Sequence, residues 1–115
     1  MKLRTKRIYE PAARADGRRI LVDRIWPRGV SKADARIDYW AKDASPSTEL
    51  RQWYRHDPEK WEEFKRRYFA ELDASPEAVE ALREALGSGA STLVFSSRET
   101  ELNNAHALAL YLESR

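Results

Sequence analysis

Two short segments hold most of the side chains in this sequence that could bind or transform a ligand. VDRIWPRG, residues 22–29, ends an apolar run with Asp23, Arg24, Trp26 and Arg28, set off by Pro27 and Gly29. SSRETELNNAH, residues 96–106, carries Ser96, Ser97, Arg98, Asn103, Asn104 and His106. Guanidinium groups offer forked donors that match carboxylate or phosphate oxygens. Serine hydroxyls add short donors, an indole supplies a flat wall for a ring or an acyl group, and a histidine can move a proton near neutral pH. The collection reads as an anion site, with Asp23, Arg24, Trp26, Arg28, Ser97 and Asn103 as ligand contacts. His106 and Ser96 are the candidate catalytic acid or base and nucleophile. Each residue also has a structural reading. Asp23 and Arg24 would make an ion pair at a strand end, Trp26 a core anchor, the serines a strand terminus, and His106 a helix-end histidine. His56, placed at the end of a helix, reads as a partner of the helix dipole.

These segments matter only if the fold brings them together. RILVDR, residues 19–24, is a short continuous apolar run bounded by turn signals, and TLVFSS, residues 92–97, is a second; both predict strands covered on two faces. Residues 3–9 alternate loosely and predict a first strand. Ser31 with Asp34 predicts one capped helical turn, and IDYWAKDASP an irregular stretch or a short edge strand. Three helices follow without a strand between them. The first runs from Pro46 and Ser47 to about His56, with Leu50, Trp53 and Tyr54 inward. The second starts after Asp57 and Pro58, with Trp61, Phe64, Tyr68 and Leu72 inward and Glu62–Arg66 and Glu63–Arg67 pairs outward. The third starts at Ser75 and Pro76 and ends at Gly87 in a left-handed cap. A last helix, AHALALYLES, is apolar nearly all round, with Asn103 or Asn104 as its N-cap. The long helical crossover makes the last two strands parallel. The expected architecture is a small single α/β domain over residues 1–115, with a short, mostly parallel sheet covered by helices. In such sheets ligands bind beyond the carboxyl ends of the strands, where both segments emerge.

Composition narrows the chemistry. The 115 residues include 21 Lys and Arg against 19 Asp and Glu, a net charge of +2, which describes a mixed surface rather than a basic one. With no cysteine there is no disulfide or thiol nucleophile, and with two histidines, His56 and His106, a histidine-rich metal centre is not expected. Neither a metal nor a cofactor is anticipated. The sequence lacks the G-x-S-x-G elbow, the phosphate-binding glycine loops and H-E-x-x-H. No apolar run reaches the roughly 20 residues that span a bilayer, and MKLRTKRIYE has no apolar core of a leader peptide. A cytoplasmic protein without a membrane partner is the expectation.

TKRIYEPA, DGRRILVDRIWPRGVSK, PSTELRQWY and LVFSSRETELNNAHALAL together resemble the YeaO-like branch of a family known as domain of unknown function 488. The likeness covers nearly the whole chain, and DRIWPRG followed by PSTELR is specific. It implies a compact prokaryotic α/β protein and supplies no reaction. Longer relatives in the wider family carry a D-x-R motif after the second strand and a C-x-E…C-H-R pattern after a later one. Asp23 and Arg24 match the first by position, and Ser96, Arg98 and His106 lie near the second. Both cysteine positions lack cysteine here, so no thiol or metal role comes with the resemblance.

The leading expectation is a small anion or phosphorylated metabolite bound at the strand-end cleft, with His106 as acid or base if there is turnover. A nucleic-acid-binding module using Arg4, Lys6, Arg7, Arg18 and Arg19 is the alternative. A third is a protein-interaction module whose partner covers Trp40, Trp53 and Trp61. The oligomeric state is left open.

Overall fold

A computed structural model describes residues 3–115. Four strands form one parallel sheet in the order β1-β4-β2-β3: β1 is Leu3–Arg7, β2 Arg18–Leu21, β3 Tyr39–Trp40 and β4 Ser91–Phe95. Ile20 lies opposite Leu93 and Leu21 opposite Val94, so the two apolar runs are adjacent and parallel. β1 flanks β4 on its other side, also parallel. The sheet is therefore a small α/β domain's, as expected, and the first strand stops at Arg7 rather than Tyr9.

Alternation along the strands divides the core unequally. Ile20, Val22, Leu93 and Phe95 face the large cluster contributed by the helices, whereas Leu21 and Val94 face a small one with Ile8 and Ala35. The four longer helices all pack into the large cluster: α2 is Thr48–Tyr54, α3 Trp61–Asp73, α4 Pro76–Leu86 and α5 Asn104–Ser114. The other face is covered by the segment that follows β2, through Trp26, Val30, Ile37 and Trp40 and the short helix α1, Lys32–Ala35. Trp26 and Trp40 meet edge to face at 5.5 Å, a favoured aromatic geometry. DRIWPRG thus both leaves a core strand and roofs the thinner face.

Local chemistry accounts for the helix starts. Ser31 accepts from the Asp34 N–H, Ser47 from Leu50, and Asn103 from His106, each relieving one unpaired donor of a first turn. Asp57 caps a single 3-10 turn, Pro58–Lys60, that leads into α3. Ser75 makes no side-chain cap, and Pro76 alone opens α4. Gly87 has positive φ but an extended ψ of -154°, not the left-handed helical cap expected. On α3 Glu63 holds Arg66 and Arg67, while Glu62 pairs with Lys65 instead of Arg66. Gly17, with φ 65°, allows the turn before β2 to pass the start of β4: a Cβ there would collide with the Ala90 carbonyl oxygen.

Candidate functional site

All four strands end on the same edge of the sheet, and the two segments do meet there. The Asp23 carboxylate accepts from the Ser96 N–H at 2.9 Å with one oxygen and from the Asn104 amide at 3.1 Å with the other. Asn104 also donates to the Val22 carbonyl at 2.7 Å. These bonds tie the end of β2, the end of β4 and the first turn of α5 into one unit. Arg7 adds a brace from β1, donating to the Ser97 and Ser96 carbonyls at 2.8 and 3.3 Å. Above this unit is an open pocket of about 240 Å³ lined by Asp23, Trp26, Arg28, Ser96, Ser97 and Asn104, together with Ile25, Pro27, Arg51 and His56.

Six of the residues singled out in the sequence therefore line one pocket, and four others do not. Arg24 turns the other way, donating to the carbonyls of Ser45 at 2.8 Å and Pro46 at 3.0 Å. It makes no ion pair with Asp23 and instead pins the loop ahead of α2. Asn103 is fully buried, with its oxygen on the His106 N–H and its amide on the Glu99 carbonyl. It shapes the helix start and does not reach the pocket. His106 projects outward and stacks on Trp61, ring centroids 6.1 Å apart. Arg98 is exposed on the loop beyond. A capping asparagine commits the next residues to helical directions, so a histidine three positions later follows the outer face of α5 rather than its tip.

The pocket's histidine is His56. Helix α2 ends at Tyr54, and Arg55 and His56 both adopt the left-handed region, φ 47° and 56°. Two consecutive non-glycine residues in that conformation are uncommon, and the reversal carries the imidazole back toward β4, its Nδ1 3.4 Å from the Ser97 hydroxyl. The sequence pattern extends the helix to His56 and makes it a partner of the helix dipole, because no glycine or asparagine marks the turn; in the structure the helix ends two residues earlier. Arg51 was missed for a related reason. It lies on the exposed side of an amphipathic helix, where arginine is ordinary, but Arg51 and His56 share the edge that faces Arg28. Trp26 packs on the small core cluster, donates its indole N–H to the Val30 carbonyl at 2.8 Å and is also one of the residues that line the pocket.

The family model described as the inactive DUF488-N3 subclade matches residues 2–115. The chain belongs to this family. It is 44% identical over 114 residues to uncharacterized protein Rv3073c of Mycobacterium tuberculosis, an alignment covering 99% of this chain and 96% of that protein. It is 40% identical over 114 residues to uncharacterized protein YeaO of Escherichia coli, covering 99% of both. No solved structure matches it.

Within this DUF488-N3 chain the electrostatics of the pocket are set by which charges are already paired. Asp23 is the one acidic residue of the lining, and both its oxygens are engaged. Arg28 and Arg51 are exposed, and neither guanidinium has a hydrogen-bond or ion-pair partner among the described residues. Gly29, at φ 77°, turns the chain directly after Arg28, and the Tyr9 hydroxyl holds the Arg28 carbonyl at 3.0 Å. The basic residues named for a nucleic-acid surface each make bonds within the chain, Arg4 and Arg18 while still exposed. Arg4 donates to Ala15, Arg18 to Ala85, Lys6 to Pro11 and Asp16, and Arg19 is buried against Asp16 and the Ala35 carbonyl. The tryptophans make no open patch either. Trp61 is buried, Trp40 donates to the Asp23 carbonyl, and Trp53 lies beneath Lys60 and Arg67. Among the described residues no group of three or more metal-ligating side chains is clustered, and no helix is long and apolar enough to cross a membrane.

Proposed function

We propose that this protein is a cytoplasmic anion-binding protein that holds a small carboxylate or phosphate at the carboxyl edge of its sheet and does not turn it over. The observation that carries this reading is the pair of unpartnered guanidinium groups, Arg28 and Arg51, set across a pocket that also holds His56, Ser96 and Ser97. The first turn of α5 borders the same pocket through Asn104 and adds the positive end of a helix dipole. Arginine is suited to the task because its fork matches two oxyanion lone pairs at once.

Binding without turnover is favoured by the way the histidine is held. A serine nucleophile needs an imidazole that a third group orients. His56 meets Ser97 at 3.4 Å, and the nearest carboxylate in sequence, Asp57, accepts from the Glu59 N–H instead. Ser97 itself accepts from the Glu99 N–H, which directs its hydroxyl oxygen into a turn. The inactive description of the subclade agrees with a retained pocket without a reaction.

The test is a thermal-shift titration with inorganic phosphate at low ionic strength, where exposed charges are least screened. A ligand at about 100 times its dissociation constant raises stability by about 2.7 kcal/mol. Stabilisation that is lost in Arg28→Gln and Arg51→Gln supports the reading, and stabilisation indifferent to both rules it out.

A further inference from the structure

The anion pocket does not end at His56. A second pocket of about 250 Å³ shares Ile25, Arg51, His56 and Asn104 with it and continues under α2. The character of the walls changes across that boundary. Tyr54 and Phe64, stacked at 4.2 Å and almost fully buried, form the inner wall, and Thr48 and Gln52 the rim. The Tyr54 hydroxyl donates to the Leu102 carbonyl at 2.7 Å, and burial, followed by the charges of Glu99 and Asp57, pushes its pKa up to about 12. That wall therefore stays uncharged. Ile25 stands at the junction and is 59% exposed, more than the other large apolar side chains of the described residues.

Both chambers hold Arg51 and His56, and Arg55 adds a guanidinium group to the second, so what distinguishes the second is its inner wall of Tyr54 and Phe64 with Ile25 at the junction. The joined pair selects for two properties in one molecule. A bare anion leaves the chamber filled with water against Phe64 and Ile25, and a polyanion has two guanidinium groups to meet and nothing cationic beyond them but Arg55, which is bonded to the Gln52 carbonyl. We infer that the ligand carries one anionic head and one apolar group the size of a single ring or short acyl chain, with the head between Arg28 and Arg51 and the apolar group between Ile25 and Phe64. The chamber exceeds the roughly 150 Å³ that accommodates a benzene-sized guest. This inference rests on the anion-binding reading and goes beyond it by naming the ligand class.

Calorimetric titration of inorganic phosphate and of phenyl phosphate separates the two. Phenyl phosphate should bind at least about tenfold more tightly, from the apolar area its ring removes from water. Gln52→Trp, an exposed substitution that fills the chamber from its rim, should bring the ratio of the two affinities toward one, and Ile25→Ala should reduce it. Arg28→Gln, at the far end, should weaken both ligands and leave their ratio unchanged. Equal affinities in the native protein, or a preference that survives Gln52→Trp, would overturn the inference while the anion site stands. Failure of both ligands to bind, or indifference of both to Arg28→Gln, would remove the anion site and the inference with it.

Discussion

The molecule uses the same residue types in two places to opposite ends. Around Asp16, beside the start of β2, charges close on one another: Asp16 accepts from Arg19 at 2.6 Å, from Lys6 at 3.1 Å and from the Ala13 N–H at 3.0 Å. Its backbone carbonyl takes the Thr92 hydroxyl at 2.8 Å. Around Asp23, at the carboxyl edge, the carboxylate is matched to neutral amide donors, and the two arginines nearby are left without partners. Burying a charge is tolerable only when it is paired, so the Asp16 cluster can be enclosed. The Asp23 edge has to stay open to solvent or to a ligand. In the closed cluster only Arg19 Nη2 is left without a partner, and it is buried out of reach of a ligand; at the Asp23 edge the unpartnered guanidinium groups are exposed, which is why the proposed site is placed there.

The sharpest way to break this contrast is to remove the carboxylate from the closed cluster. Asp16→Asn leaves Arg19, 3% exposed, with a buried positive charge and one carbonyl, and should cost about 3–5 kcal/mol in urea unfolding. The pH dependence follows the same logic. Burial raises the Asp16 pKa, but the Ala13 N–H, Lys6 and Arg19 outweigh it and the net shift is downward. A lowered folded-state pKa means that the contribution to stability is complete above the ordinary carboxylate range and is lost as the pH falls through the folded value. The native protein should lose stability on acidification below about pH 4, and the pH slope should be shallower in Asp16→Asn.

Arg24 offers a smaller and more discriminating test, because its position in the sequence suggests the pocket and its contacts do not. Two charge-assisted bonds to the Ser45 and Pro46 carbonyls predict that Arg24→Gln costs about 1–3 kcal/mol of stability. Phosphate affinity should be unaffected. Arg28→Gln and Arg51→Gln should behave in the reverse sense, with stability within about 0.5 kcal/mol of the native protein and phosphate binding weakened about tenfold each, the equivalent of about 1.4 kcal/mol. Arg24 and Arg51 changing places in this comparison would mean that the pocket is not where the anion goes.

What could be read from the sequence was whatever depends on a periodic pattern or on chain direction. The adjacent parallel strands, the crossover of helices and the shared edge follow from two apolar runs and the helical spacing of Trp61, Phe64 and Tyr68, all three buried. The membership of Asp23, Trp26, Arg28, Ser96, Ser97 and Asn104 in one pocket follows from that edge. The orientation of Arg24, by contrast, depends on carbonyls some twenty residues away in sequence, and that of His56 on two left-handed residues that no glycine announces. Neither leaves a trace in a linear pattern, because alternation says which face a strand residue takes but not what waits there once the strand has ended.

The two histidines give the smallest effect and the finest test of this distinction. His106 lies in the first turn of α5, the turn that also carries Asn104 into the pocket, but its ring stacks on Trp61 at the surface. His56 lies 27 residues after the first motif and 40 before the second, and its ring borders both chambers. Replacing an exposed ring that stacks on one neighbour should change stability by less than about 1 kcal/mol, and His106→Ala should leave phosphate affinity within about twofold. His56→Ala removes a hydrogen-bonding ring and part of the wall that the two joined chambers share. It should weaken phosphate by several-fold, about 1 kcal/mol for one lost hydrogen bond, and should also blunt the preference for phenyl phosphate. Because His56 occupies a left-handed position, His56→Asn is the cleaner substitution: asparagine tolerates that backbone, so any lost binding then reports the imidazole and not the turn. A calorimetric titration in which His106→Ala loses binding and His56→Asn retains it would return the site to the tip of α5 and separate it from the pocket altogether.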